Sequence, residues 1–252
     1  MAKQSGIGSA LWWGSVDLSG DVGAVNQIET LRTLLEVTGI GAAAPERIPA
    51  LRDGSLGYTA YWNAVPGQSV LTLQAMPRTD VQCTVAAGTQ AVGSPAASLV
   101  AKQSTLGIAR GQDGSLVASV AAAANGSPLE WGELLTTGKQ TFASGTVNGT
   151  SVDLQSVYPL LTTTAFGAAA YLHVFSLGSG TPTVTVADSA NDSTFAALSP
   201  TSLAFSPVAA GVQRLQTGVT ATVRRYVRIQ VTGTYTDLVC ALNFVRYTED
   251  PA

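Results

Sequence analysis

Residues 51–63 read LRDGSLGYTAYWN, and residues 109–123 read ARGQDGSLVASVAAA. Asp-Gly-Ser-Leu is written twice, each time ahead of a run of apolar and β-compatible residues. Asp-Gly is a turn signal, because Gly reaches φ > 0 freely and Asp caps its own turn. A turn followed by Leu and a Tyr-, Thr- or Val-bearing run marks the start of a strand. Two similar strand entries are therefore expected inside one β domain, over Leu56–Asn63 and Leu116–Ala123.

Working outward, further strand-like runs cover Val81–Ala87 and Ser98–Ile108, separated by turns rich in Gly, Pro and Asn. Two stretches carry helical spacing. In SGDVGAVNQIETLRTLLEVTG (19–39), Val22, Val25, Ile28, Leu31 and Leu34/Leu35 recur every three to four residues, with Gly39 as a stop. The residues around Val37 also alternate, which leaves a strand as the alternative there. In GQSVLTLQAMP (67–77), Val70, Leu73 and Met76 share one side and Pro77 ends the run. Around 142–157, FASGTVNGTSVDLQSV clusters small polar residues without a strong period, which puts a domain boundary near residue 150.

Beyond it, short strands are expected at Gly167–Ser176, Thr183–Ala187, Phe195–Leu198, Val212–Gln216, Val223–Val231 and Leu238–Tyr247. Their spacing suggests an antiparallel sandwich. VTVADSANDSTFAAL (184–198) reads as a hairpin turned by Asp188, Asn191 and Asp192. The fold class is thus mainly β: an N-terminal domain over 1–148 with one or two short helices, and a C-terminal antiparallel β-sandwich over 151–252.

Charged residues make up only 12% of the 252, against 46% hydrophobic; soluble domains usually carry about 25% charge. Such sparse charge is expected where much of the surface is covered by other subunits. A net charge of −3 supplies no electrostatic footprint for gripping nucleic acid. No apolar run reaches the roughly 18 residues of a membrane span. The opening MAKQSGIGSALWWGSVD lacks the regions of a signal peptide and reads as an arm or first strand of a cytosolically made protein.

Chemistry-bearing constellations are few. Cys83 and Cys240 fall at small-hydrophobe positions of alternating strands and read as buried free thiols. His173 is the one histidine and shares a strand face with Tyr171 and Phe175, so the zinc spacings are missing and a serine triad has no G-x-S-x-G elbow. The Asp188/Asn191/Asp192 turn lacks an EF-hand register. The glycines at 6, 8, 39 and 41 complete no G-x-G-x-x-G, and the Asn125, Asn148 and Asn191 sequons read as turns. Neither catalytic residues nor a cofactor or metal site is expected.

Two stretches remain as candidate contact surfaces. In TVRRYVRIQV (222–231) alternation puts Arg224, Tyr226, Arg228 and Gln230 on one face and Val227, Ile229 and Val231 on the other. A solvated sheet face competes there with an interface or a sugar-binding face. Trp12 and Trp13 suit either an arm inserted into a neighbouring subunit or core packing.

The series ERIPALRDGSLGYTAYWN (46–63), PGQSVLTLQAMPRTDV (66–81) and GSPAASLVAKQSTLGIARGQDGSLVASVAAAANGSPLEWG (93–132) resembles the major tail (tail tube) proteins of long-tailed bacteriophages over roughly residues 15–140. The resemblance lies in element order: an Asp-Gly-opened strand, a helix, strands, and a second Asp-Gly-opened strand. It implies a tail-tube-like β-sandwich or barrel, with six subunits closing into rings. The rings would stack around a tape measure protein, meet tail terminator and tip proteins, and let DNA pass through the lumen without specific binding. It also implies a virion component assembled in the host cytoplasm. The last hundred residues look like the β-sandwich appendage of many phage structural proteins, and RRYVRIQVTG is similar to strands of discoidin-like carbohydrate-binding sandwiches. A capsid decoration protein and a carbohydrate-binding adhesion module are the alternatives.

Overall fold

The computed structural model describes residues 6–157, 159, 163–199 and 202–249. Strands β1 (Ala10–Trp13) and β2 (Val16–Asp17) come first, followed by the long pair β3 (Val22–Glu36) and β4 (Arg47–Tyr61) and helix α1 (Ser69–Leu73). Next are β5 (Val81–Ala86), β6 (Pro95–Arg110), β7 (Leu116–Ala124), β8 (Glu130–Leu134), β9 (Gln140–Phe142), β10 (Val147–Asn148), β11 (Val152–Asp153) and α2 (Leu154–Val157). The chain ends with β12 (Ala168–Ser176), β13 (Ser179–Ser189), β14 (Ala196–Ala197), β15 (Ala204–Phe205), β16 (Gly211–Gln216), β17 (Tyr226–Thr236) and β18 (Leu238–Arg246). The fold is mainly β, built of antiparallel sheets, as the turn-punctuated sequence implies.

Its two compact units do not follow a single cut near residue 150. One takes residues 1–19, 82–98 and 131–252, the other 20–81 and 99–130. The physical reason lies in the last strand. β18 pairs with β8 through Phe244↔Glu133 and with β9 through Val239↔Thr141. Residues placed by sequence in the first half thus share a sheet with the C-terminus.

In the first unit, β16, β12, β18 and β8 lie side by side, and β5, β1 and β2 continue the same sheet by way of β6. A separate sheet is centred on β17 and β13, with β10 and β11 on one flank and β14 and β15 on the other. Between them lies one core: Ala170, Leu172, Val174, Cys240, Leu242 and Phe244 face Val184, Val186, Val227, Ile229 and Val231. A second cluster, Ala10, Trp12, Ala86, Ala96, Leu134 and Ala241 with Phe175 against it, covers the opposite side of β12 and β18. These two strands are therefore buried nearly throughout and lose the apolar–polar alternation of a half-exposed strand.

In the second unit, β7 pairs with β4 and with the C-terminal part of β6, and β3 pairs with β4. Leu56, Tyr58 and Ala60 of β4 and Ala118, Val120 and Ala122 of β7 are buried, with the residues between them on the open face. Helix α1 buries Val70 and Leu73, and Gln103 Nε2 donates to Leu73 O at 3.0 Å. Met76, expected on the same side, is exposed and sits at φ 36 beyond the helix end.

The helix expected over residues 22–35 is instead strand β3. Its pairing with β4 shifts register between Val22 and Ala24, Val25 and Gln27, and Arg32 and Leu34. The first two bulges each insert one residue in β3, so same-face positions there stand three apart instead of two, and the third inserts its residue in β4. Val22, Val25 and Ile28 all lie on one face, opposite Ala60, Tyr58 and Leu56. Bulges in a strand here mimic the spacing of a helix.

The two Asp-Gly-Ser-Leu copies also part ways. The second is the turn expected: Gly111 N donates to Ser115 O at 2.7 Å, Asp113 Oδ1 accepts from Ser115 N at 3.0 Å, and Gly114 has φ 89. The first lies inside β4, which starts at Arg47, and Gly54 pairs with Thr30. A Cβ on Gly54 would stand 2.3 Å from Leu129 Cβ, so glycine serves close approach there, not a turn.

Candidate interaction surfaces

β7 supports β4 only over Ser55–Tyr61. Beyond Gly54, β3 and β4 continue as a two-stranded ribbon through Leu31↔Asp53, Arg32↔Arg52, Leu34↔Pro49, Leu35↔Ile48 and Glu36↔Arg47. By this register Leu31, Leu35, Ile48 and Leu51 stand on one face and Leu34 and Pro49 on the other. All are exposed, Leu34 by 57% and Leu51 by 86%. The tip is ordered: Val37 N donates to Glu46 O at 2.8 Å, and Glu46 N to Thr38 Oγ1 at 3.0 Å. Ile40 at the tip is fully exposed. Among the described strands, β3 pairs only with β4, so its outer edge carries unpaired backbone groups. Scattered exposed leucines are ordinary; a contiguous apolar ribbon with an open edge marks an interaction site.

Sequence reasoning missed this surface, because the apolar residues of 22–35 recur at helical spacing and were read as a helix, with a strand as the alternative only around Val37. The signal was present in Leu51 and Ile48, apolar residues beside Arg47 and Arg52 in a stretch assigned to no element.

The tryptophan pair is not an exposed arm. Trp12 and Trp13 are buried in β1, paired with Thr84 and Cys83 of β5. Trp12 packs against His173 and Phe175, with ring centres 5.7 and 6.0 Å apart. Large aromatic surface is most stable away from water, and the sheet supplies the cover.

The arginine-bearing strand keeps the alternation expected, with Val227, Ile229 and Val231 inward and Tyr226, Arg228 and Gln230 outward and half-buried. Its arginines have different fates. Arg224 Nε and Nη2 donate to the buried Asp188 Oδ1 at 3.0 and 2.6 Å, and its backbone N to Asp188 Oδ2 at 2.8 Å. Asp188 is thus a strand-end anchor, while the hairpin turn is stabilised by Asn191 Oδ1, which accepts from Ser193 N and Thr194 N. Arg225 grips Asp153 with both fork nitrogens at 2.8 and 2.7 Å, which holds that carboxyl below its ordinary pKa. The same guanidinium lies 4.8 Å from the Tyr226 ring centre. Arg228 stacks 3.9 Å over the Phe195 ring, and its Nε is buried without a hydrogen-bond partner.

His173 is fully buried at the head of a polar relay. Its Nδ1 lies 2.7 Å from Gly14 O, which can only accept, so Nδ1 carries the proton. Nε2 then accepts from Thr84 Oγ1 at 2.8 Å; Thr84 meets Ser98 at 2.7 Å, and Asn243 Nδ2 donates to Ser98 Oγ at 2.7 Å. Burial pushes the His173 pKa down to about 4, so the ring is neutral at pH 7. Burial likewise pushes the Cys83 and Cys240 thiols up to about 12. Among the described residues no group of three His, Cys, Asp or Glu side chains is placed to hold a metal ion, and no helix is long and apolar enough to cross a membrane.

No family model and no curated protein matches the chain. Among solved structures it is similar in shape to a chain of the virion of a native gene transfer agent particle, at 11% identity and TM-score 0.42, over 50% of this chain and 98% of that one. A chain from the tail of an empty gene transfer agent particle with C6 symmetry matches at 13% identity and TM-score 0.39, over 50% and 96%. The SPP1 Dit protein, from the hub adsorption apparatus of a phage infecting Gram-positive hosts, matches at 11% identity and TM-score 0.35, over 94% and 99%. At such identities and TM-scores, none of these likenesses assigns the chain a role.

Proposed function

We propose that this protein is a structural subunit of a phage-type tail that assembles with copies of itself through the β3–β4 ribbon. The observation that carries the reading is the ribbon: apolar on both faces, open along one edge and, among the described residues, without a third strand beyond Gly54. An isolated two-stranded hairpin is marginal in water, so the arm gains its stability from a partner that covers it. Sparse charge over the whole chain supports extensive coverage by neighbours.

The finer reading is a tail tube subunit, on the resemblance in element order and on the succession strand, helix, strands, Asp-Gly-opened strand found in β4, α1, β5, β6 and β7. Stacked rings, six subunits to a ring, would enclose the tape measure and later conduct DNA. A surface with few cations suits passage without retention.

Electron microscopy and mass measurement of the purified protein over a range of concentrations test this reading. Rings or tubes are expected, and the Leu34→Glu/Leu51→Glu double variant is expected to stay monomeric. A wild-type chain that stays monomeric at every concentration, or a double variant that assembles as the wild type does, would overturn it.

A further inference from the structure

We infer that Asn125 is a site of spontaneous deamidation in the folded protein while Asn148 is protected, and that conversion of Asn125 breaks its tie to Asp80. The inference is independent of the assembly reading, because it concerns the turn after β7 and a change of covalent structure.

Asn-Gly occurs twice in the chain, at 125–126 and 148–149. The chemistry open to both is the same. The backbone nitrogen of the glycine attacks Cγ of the asparagine and a C–N bond forms. The Cγ–Nδ2 bond breaks, and the amide group leaves as ammonia with the proton given up by the glycine nitrogen. Water then opens the cyclic imide at either of its carbonyls, which gives aspartate or isoaspartate. Glycine favours the attack because it sets no Cβ beside the closing ring. In the unfolded chain the two sites therefore react alike, and a difference between them comes from the fold.

Both asparagines are exposed, so exposure does not separate them. The glycine nitrogen does. Gly149 N donates to Ile229 O at 2.8 Å, Asn148 pairs with Gln230 across the β10–β17 ladder, and Gln230 Nε2 donates to Asn148 Oδ1 at 2.8 Å. A Cβ on Gly149 would stand 2.4 Å from Ile229 Cγ2, so the glycine lies against β17. Ring closure there has to wait for β10 to detach. Gly126 is the opposite case. It is exposed at φ 78, nothing stands within 4 Å of where its Cβ would be, and its N donates no hydrogen bond among the described residues. Asn125 is tied through its own N, which donates to Val100 O at 2.8 Å, and through Nδ2, which donates to Asp80 Oδ1 at 2.9 Å. The side-chain tie is exposed to water and weak, so it leaves Cγ free to turn toward Gly126 N. Reaction removes that donor. Asp80 keeps Lys102 Nζ at 2.8 Å, but the carboxylate made at 125 repels it where the amide held it.

The test is peptide mass spectrometry of the full-length protein stored at mildly alkaline pH, with a parallel sample unfolded in urea. In urea both peptides are expected to gain the Asn-to-Asp mass shift, and isoaspartate with it, at similar rates. In the native sample the Asn125 peptide is expected to convert about tenfold faster or more than the Asn148 peptide, which reacts only in the fraction of time that β10 is open. Asn125→Gln should abolish conversion at that peptide, because the longer side chain closes a larger ring more slowly. Asn125→Asp carries the product from the start, and its residue-125 amide, bonded to Val100 O, should exchange hydrogen faster than in wild type once intrinsic rates are allowed for. Native conversion at Asn148 that keeps pace with Asn125, or a native Asn125 that stays intact while urea converts it, would overturn the assignment of the site. Unchanged hydrogen exchange in Asn125→Asp would overturn the broken tie.

Discussion

β13 with β17 and β3 with β4 are both long antiparallel pairs, of 11 and 15 residues per strand, and they are used in opposite ways. The first has strands on both flanks, a core on one face and a polar ladder on the other. The second runs out past its last supporting strand, keeps one edge open and carries exposed leucines on both faces. Strand length and β propensity are alike in the two. Which faces are apolar tells them apart: one apolar face is a core wall, and two on an unsupported ribbon call for a partner.

That contrast breaks most visibly at Ile229, fully buried in the β17 core wall. Ile229→Ala is expected to cost about 2–5 kcal/mol, read as a lower urea midpoint at unchanged slope. A loss below about 1 kcal/mol would mean that the wall is not packed as described.

His173 gives the second effect, confined to the first unit. Its pKa is about 4 in the fold against an ordinary 6.5. Between those values the unfolded chain takes up a proton that the folded one refuses, so this group's contribution falls as pH drops from 6.5 to about 4 and is level below. The full loss is about 3 kcal/mol, on the order of two to three pKa units. His173→Gln can serve both Gly14 and Thr84 without titrating, and its stability should fall less steeply over that window. Parallel pH profiles for the two proteins would rule out His173 as the cause.

The two Asp-Gly copies sharpen the comparison at the base of the ribbon. Gly54→Ala should cost about 1–3 kcal/mol, through the clash with Leu129 where the ribbon leaves its support. Gly114→Ala should cost about 1–2 kcal/mol, from backbone strain at φ 89. Thermal midpoints of the two variants measure both. A Gly54→Ala protein as stable as wild type would refute the close approach.

The smallest effect belongs to the ribbon itself. Leu34→Glu/Leu51→Glu should move monomer stability by no more than about 0.5 kcal/mol per site, because neither side chain is buried in the single chain. A large loss would show that the ribbon packs on its own molecule.

Much of this fold was legible in the residues. The strands 81–86, 116–124 and 168–176 stand where turn signals and β-branched runs put them, and the Arg228 face was read from simple alternation. Three things were not legible, each for a physical reason. Bulges in β3 gave a strand the spacing of a helix. Gly54 looked like a turn residue because sequence does not distinguish a glycine kept for its φ from one kept for its missing Cβ. The partition of the chain was hidden because it depends on β8 and β9 finding β18 a hundred residues later, and local pattern carries no information about such distant pairing. The choice between an inserted arm and core packing for Trp12 and Trp13 stayed open for the same reason, since the rings that pack on Trp12 lie on β12.

That distant pairing also orders events in time. Residues 20–130 hold every segment of the second unit, so it can close while the rest of the chain is still being made. The first unit waits for β12 and β18, on the order of ten seconds at ribosomal speed. For that interval the nascent protein displays a finished apolar arm while Trp12, at the other end of its history, still lacks the His173 and Phe175 rings that pack on it. Neighbouring chains on one message would meet in that state, arm first, before either has completed its core.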